Sequence, residues 1–587
     1  MDRPSQSCQP SSESGTFPPT TRDAMENDMS VTTIYRARQI ITMNPSNPTA
    51  THVAVREGRI LGAGTLEELA GWGEYQLDET FAEHVLVPGF VEAHAHAGEG
   101  VTGLFPMVTY FDRPLPDGTI SPAVQSYEDL KKRLTEAREA MKEEPLDKPL
   151  VMLGFDPIYF KDKPRLTAKD LGDACPDRPV FIYHASAHVA TVNTRMMQIS
   201  NITRDTLTEG VVKGPDGEPT GELQEQPAMS LAVTAMTLLG EQARSTAALW
   251  NFGYAARTAG VTTVTDLAGS LVLGDSVDVW SGIVNDPAFP ARVCSYSLPA
   301  AIGSGGPSSA EEVVATIKAL QMKRASAKLR FPGIKVIIDG SIQGWTAKVS
   351  WPGYYTGEDH GIWVETPERL AEMLLPFHKA GINIHVHCNG DLAADVFIET
   401  VEKLLIAWPW LDHRHTCQHA QFVTSAQLRR MAKLGMCVNF FANHIFYWGD
   451  EHYEQTLGPE RANRMEPCAT AKREGVSFSI HSDASVTPMD RLHVMWCAVN
   501  RSTHGGRVLG EHEKISAYDA LHAVTLGAAY QMHMDAEIGS IEVGKYADFT
   551  VLEGSPLDVA PEQIKDIRVW GTVVGGVKYP NPPKAAS

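Results

Sequence analysis

"VPGFVEAHAH", residues 87–96, is an apolar run that breaks at Pro88-Gly89, restarts, and ends in two histidines two positions apart. Residues i and i+2 of a β-strand point to one face. His94 and His96 therefore project together from the end of a buried strand, where two imidazoles can chelate a cation. A bare His-x-His is more often a solvated strand end, so its meaning depends on what the chain does next. Downstream, "RPVFIYH", "VTTVTDLA", "ARVCSYSL", "GIKVIIDG", "INIHVHCNGD", "HTCQHAQ", "MCVNFFANH" and "VSFSIHSDA" read as strands or strand ends. Amphipathic stretches such as "SYEDLKKRLTEAREAMKEE", "PERLAEMLLPFHKAG" and "SAQLRRMAKLG" read as helices. The alternation predicts an α/β chain built on a parallel (β/α)8 TIM-like barrel. Such barrels carry their chemistry at the C-terminal ends of the strands. Here polar residues stand where the apolar runs stop: His94, His96, Asp266, Lys335, His387, His419, His444 and Asp483.

The flanks read differently. Residues 31–88 ("VTTIYRARQIITM", then "THVAVREGRILGAG" with a turn at Glu57-Gly58) and 535–587 ("GSIEVGKYADFTVLEG", "IRVWGTVVGGVKY") are rich in short β-branched runs. They predict short antiparallel strands forming one small composite β-sandwich domain from both termini, around a barrel over 89–534. Residues 1–30 are rich in Ser, Pro, Thr and Glu and read as a disordered tail. The chain carries 51 Lys and Arg against 71 Asp and Glu, a formal charge of −20, which argues against nucleic acid or an anionic membrane as partner. No apolar run is long enough to span a bilayer, and no basic-then-apolar signal opens the chain. The eight scattered cysteines form no Cys-x-x-Cys pair and suit the reduced thiols of a cytoplasmic protein. A small-molecule substrate is the partner this leaves; a homo-oligomer such as a dimer stays open.

Lys335, in "GIKVIID", is an ammonium flanked by apolar residues, and burying one unpaired is costly. It pairs with Asp339 or snorkels to the barrel mouth, or it is held neutral, carboxylated by carbon dioxide, and bridges two metals. His387 lies in "HVHCNGD", with His385 on the same strand face, and His419 in "HTCQHAQ". Imidazoles with oxygen ligands suit zinc, and also manganese, iron or nickel. Asp483, in "SIHSDASVTP", is a helix cap or a carboxylate beside the metals that moves a proton. "NFFANHIFYWGDEHY", containing Phe441 and His444, reads as core packing or as an aromatic pocket wall, to which Trp345 adds.

Taken in order, "VPGFVEAHAH", "GIKVIIDGS", "HCNGD", "QHAQ" and "HSDASV" resemble the amidohydrolase superfamily, and more narrowly its family 3, which contains N-substituted formamide deformylases. The resemblance extends to "RPVFIYHASAHVATVNT", "DGEPTGELQE" and "GSIEVGKYADFTVLE". It implies a (β/α)8 barrel with a composite β-domain and a centre of one or two divalent metals, zinc first among them. By motif, His94 and His96 bind the more buried metal and Lys335, if carboxylated, bridges. His387 and His419 bind the second metal, while Asp483 contacts the buried one and serves as general base. His188, in "SAHVATVN", matches a family histidine near the pocket; it positions substrate or is a hydrogen-bonded loop residue. The sequence departs from the family pattern at Glu92, where Asp is common, at Cys388 and Asn389, and at His481 and Ser485, where Gly and Pro are common.

The expected reaction is hydrolysis of a C–N amide bond, of N-acyl or N-formyl type, in a fairly apolar small molecule, aromatic ones included, through metal-activated hydroxide. Ester or carbamate hydrolysis and deamination on the same centre are alternatives, as is a non-catalytic scaffold that lost its metals. A dinucleotide oxidoreductase is disfavoured, since no Gly-x-Gly-x-x-Gly follows the first strand.

Overall fold

A computed structural model describes residues 31–161, 165–269, 276–299, 309–357 and 361–582. The expected tail, 1–30, lies outside them. Eight parallel strands follow one another around a barrel in chain order. They are β1 (Phe90–Ala95), β2 (Val261–Gly269), β3 (Arg292–Ser297), β4 (Gly333–Ile337), β5 (Asn383–Cys388), β6 (Thr416–His419), β7 (Cys437–Phe440) and β8 (Ser477–Ile480). Most are buried on both faces, which is why they read as continuous apolar runs rather than alternating ones. Helices cover the outside: α1 (Thr246–Thr258), α2 (Ser276–Val284), α3 (Ala310–Lys323), α4 (Pro367–Lys379), α5 (Asp391–Ala407), α6 (Ser425–Leu434), α7 (Cys468–Glu474) and α8 (Arg491–Asn500). Local sequence sets their ends. In α6, Thr424 and Gln427 form a capping box and Gly435 closes the helix at φ 73°, while Leu428 and Met431 turn inward.

The barrel closes through a narrow seam. Between β8 and β1 the pairing reduces to one bridge, Ala95 to Ala484, and the His96 amide donates to Ala484 O at 2.6 Å. Side chains complete it. Glu92 on β1 accepts from Arg491 Nη1 at 2.7 Å and from the Ser482 hydroxyl, and Arg491 also donates to Ile480 O. Both partners of this ion pair are fully buried.

Two expectations need correction. "RPVFIYH" is not a barrel strand. It forms Val180–His184 of a separate five-stranded sheet, inserted between β1 and α1, where it runs parallel to Leu150–Phe155 and antiparallel to Val189–Val192. A short apolar run bounded by turns has one local signature whichever sheet receives it. The helix of "SYEDLKK…", Tyr127–Ala140, belongs to the same insertion. The terminal strands are also not all antiparallel. Thr32–Ile41 pairs antiparallel with Thr49–Arg56 but parallel with Tyr75–Pro88.

Both termini do meet in one sheet of seven strands, since Phe549–Leu552 joins the edge of Tyr75–Pro88. The expected turn at Glu57-Gly58 has φ of 52° and 72°, the paired positive values of a tight hairpin. Tyr35, Phe81, Phe549 and Trp570 pack in one apolar core of this sheet. Val85 and Val87 turn the other way, into the barrel's own core. Among the described residues no helix is long and apolar enough to cross a membrane. Their seven cysteines are buried and unpaired.

Candidate metal centre

His94 and His96 leave the end of β1, Lys335 lies on β4, His419 ends β6, and Asp483 follows β8. The barrel draws their side-chain tips together at its C-terminal mouth. Asp483 Oδ1 is 3.4 Å from His94 Nε2 and 3.1 Å from His96 Nε2, and its Oδ2 is 3.8 Å from His419 Nδ1. Lys335 Nζ is 3.2 Å from His94 Nε2. Two donors held about 2.1 Å from one tetrahedral zinc ion stand about 3.4 Å apart. These spacings are those of ligands around a shared cation, and the donor set of imidazoles plus carboxylate fits a divalent transition metal.

Protonation states agree with that use. Burial keeps His94, His387 and His419 well below the ordinary imidazole range, so each is neutral with a lone pair to give. Burial pushes the Asp483 carboxyl up, but the hydrogen bond and charge of His96, joined by His481 and Lys335, outweigh it and hold the group at about 2. Burial pulls Lys335 down to about 8, against the attraction of Asp483. Its pairing with Asp339 is not what forms. Asp339 instead accepts the backbone amides of Asn389, Gly390 and Lys348.

A second layer orients the ligands. Gln418 Oε1 accepts from His94 Nδ1 at 2.6 Å, which turns His94 Nε2 toward Asp483. Gln418 is itself fixed by Asn439 and by His385, so His385 sits one layer below the centre rather than in it. His419 and Asp483 have φ of 69° and 52°, strained values for residues with a side chain, of the kind that cluster at functional sites.

The remaining candidates lie around this core. His387 stands beside His419, ring centroids 4.5 Å apart, and directs Nε2 to Gly340 O at 3.0 Å, leaving Nδ1 as the nitrogen for a ligand. His188 comes from the inserted sheet to within 5.0 Å of the His387 ring. Its Nδ1 is 2.7 Å from Glu225 Oε2. Burial lowers the His188 pKa, but the Glu225 carboxylate outweighs it and raises the net value. Phe441 packs 5.8 Å from His419, and Trp345 joins Phe441, Ile158 and Trp448 in one aromatic cluster. His444 does not face the ligands. It opens the helix His444–Glu451, so His444 and Trp448 stack along one buried face with His452 beyond, and His444 Nδ1 is used by His452 at 2.9 Å. It packs against Phe441, ring centroids 4.7 Å apart, at the start of the helix.

Sequence reasoning missed four residues. Glu92, noted only as a departure from Asp, pairs with Arg491. Gln418 stood inside the quoted "QHAQ", and Glu225 closes "DGEPTGELQE". His481, noted only as a departure from Gly, has Nε2 3.1 Å from His419 Nδ1.

Known proteins resemble this chain over most of its length. The chain is 24% identical to the N-substituted formamide deformylase of Arthrobacter pascens over 91% of its length and 96% of that protein's. It is 26% identical to Protein LONG AFTER FAR-RED 3 of Arabidopsis thaliana, covering 92% of this chain and 90% of that one. The crystal structure of an uncharacterized metal-dependent hydrolase from Pyrococcus horikoshii OT3 superposes with a TM-score of 0.67 at 21% identity, covering 90% of this chain and 99% of the other. The model of the amidohydrolase family matches residues 82–578, most of the chain. With its barrel, its convergent histidines and Asp483, this chain is a hydrolase that belongs to the amidohydrolase family.

Proposed function

We propose that the chain hydrolyses a C–N amide bond, of N-acyl or N-formyl type, in a fairly apolar small molecule. The observation that carries this is the convergence of His94, His96 and His419 on the Asp483 carboxylate, with Lys335 against His94. The name of the Arthrobacter relative supports amide cleavage over the ester, carbamate and deamination alternatives. His94, His96 and Asp483 would hold a divalent cation, zinc first among candidates, which would supply polarisation of a substrate carbonyl and a lowered pKa, about 7, for water.

The chain's own groups do the rest. Asp483, ionised at neutral pH, accepts the proton of the attacking water at one oxygen and returns it to the departing nitrogen. His188, backed by Glu225, donates a hydrogen bond to the oxygen that gains charge as the carbonyl is attacked. Phe441 and Trp345 form an apolar wall that excludes water and suits an aromatic or aliphatic substituent. Lys335, with its pKa lowered into reach of neutrality, is the amine that would add carbon dioxide and release a proton to give a carbamate, and His387 Nδ1 would be free to hold a second ion.

The test is metal content by plasma mass spectrometry on wild type and His94→Ala, followed by a panel of N-substituted formamides, N-acyl amides, esters, carbamates and amino-heterocycles. Expected are about one to two equivalents of metal per chain, lost in His94→Ala, and turnover of amides that drops by about 10²–10⁴ in Asp483→Asn. A folded, unchelated wild type without metal would return the non-catalytic scaffold. Turnover confined to esters or amino-heterocycles would replace the amide assignment.

A further inference from the structure

His481 stands two residues before Asp483, just past the end of β8. Its backbone amide donates to Phe440 O at 2.9 Å, which extends the β7–β8 ladder by one residue and aims the side chain into the barrel mouth. The imidazole is fully buried. It is stacked between His94, 4.7 Å away at 14°, and Phe441, 4.9 Å away at 26°, so it has no room to swing out. Its Nε2 lies 3.1 Å from His419 Nδ1, and its Nδ1 is buried without a hydrogen-bond partner.

Two sets of donors result, and they overlap. His94, His96 and Asp483 have ligand atoms mutually within 4.8 Å, and so do His94, His419 and His481. One imidazole nitrogen directs one lone pair, so His94 Nε2 cannot serve two separate ions. The two sets share His94, so a cation at His94 can draw on donors from either. The 3.1 Å separation of His481 Nε2 and His419 Nδ1 matches the 3.1–3.4 Å separations of the Asp483 contacts with His94 and His96. Two ring nitrogens at this separation share either one proton or one cation, and a cation is the sharer for which His94 Nε2 and the Asp483 carboxylate, close by, supply further donors.

We propose that His481 is an additional nitrogen ligand of the ion held by His94, His96 and Asp483, so that this chain binds its first metal without help from a carboxylated Lys335. The donor set becomes rich in imidazole, which favours zinc, cobalt, nickel or iron over magnesium or manganese. The inference rests on the metal-centre reading above and not on the amide substrate.

The experiment uses the full chain stripped of metal, freed of carbon dioxide and reloaded with Co(II) alone. X-ray absorption counts the imidazoles on cobalt, and a chromogenic chelator measures its release rate, in wild type, His481→Gly and His481→Asn. Glycine removes the ring, and asparagine keeps polar volume in case the glycine chain is unstable. Expected is a wild-type imidazole count that includes His481 beside His94 and His96, one fewer imidazole in each variant, and release faster by at least about tenfold. The same count and release within about twofold of wild type in a folded variant would overturn the assignment while leaving the metal centre standing. A wild-type count too low to include His481 would overturn it even if both variants fail to fold. Failure of the wild type to take up cobalt would remove the metal-centre reading with it.

Discussion

Arg491→Met should open the barrel seam. Methionine keeps the length and apolar volume of the arginine stem but removes two hydrogen bonds, from Nη1 to Glu92 Oε2 at 2.7 Å and from Nη2 to Ile480 O. Bonds of this charged kind contribute about 1.5–3 kcal/mol each, a total of about 3–6 kcal/mol. That agrees with the about 3–5 kcal/mol seen when one partner of a buried ion pair is removed. The loss should depend on pH in a stated direction. Burial already raises the Glu92 pKa, and Arg491 and Ser482 hold it down. Without the guanidinium, the folded value climbs further above the unfolded one, so the folded variant takes up a proton and regains stability as pH falls. The deficit should be largest near pH 7.5 and shrink toward pH 5. The assay is urea unfolding followed by near-ultraviolet circular dichroism on wild type, Arg491→Met, Glu92→Met and the double variant. Pairing the two apolar replacements should recover more than half of the loss. A cost under about 1 kcal/mol for Arg491→Met, or a double variant no better than the single, would refute the claim that this pair closes the barrel.

Three further outcomes follow from the same coordinates. His378, His413 and His415 meet beneath the barrel, and burial lowers all three below the usual 6.5; it takes His184 and His452 to about 3. Between those values and 6.5 only the unfolded chain binds the protons, so stability is full above about pH 6.5 and falls as pH drops below it. The urea midpoint should decline from pH 7 to 5, less steeply in His415→Gln; a flat profile would contradict the burial of neutral imidazoles. Glu225→Gln removes the charge that raises His188, so kcat should fall by about 10², with the pH limb of His188 displaced downward; an unchanged profile would remove this dyad from the reaction. Lys335, at about 8, should form more carbamate as pH rises through that value, read by NMR with isotopically labelled bicarbonate; no carbamate signal at any pH would leave it an ordinary amine.

What the sequence disclosed and what it concealed divide along physical lines. His94, His96, His419 and Asp483 were legible because each ends an apolar run, and a barrel turns that one-dimensional fact into convergence. Lys335 was legible because an ammonium inside "GIKVIID" contradicts its surroundings. The strand Val180–His184 was misplaced because its signature does not encode its partner, which is set by Leu150–Phe155 and Val189–Val192. His444 stands at the end of an apolar run in the sequence, and only the helix that begins at it shows that Trp448 and His452 are its neighbours. Glu92 could not be read at all as half of an ion pair: its partner, Arg491, is remote in sequence and nothing local marks the two as neighbours. Gln418 and Glu225 were inside quoted motifs yet carried no chemistry of their own there, since an orienting group acquires meaning only once the group it orients is located.

The seam also sets a clock. Glu92 and Ser482, which meet across it, are 390 positions apart. At about 5–20 residues per second of synthesis, the first histidine pair waits on the order of 20–80 s for the residues that complete it. Throughout that interval the strand carrying His94 and His96 has no partner on one side, and Tyr75–Pro88 likewise awaits Phe549–Leu552. A chain interrupted anywhere before β8 therefore has no Asp483 and no closed barrel, whatever it has folded up to that point. Hydrolytic competence arrives last, as a property of the finished polypeptide, and a nascent or broken one is chemically silent.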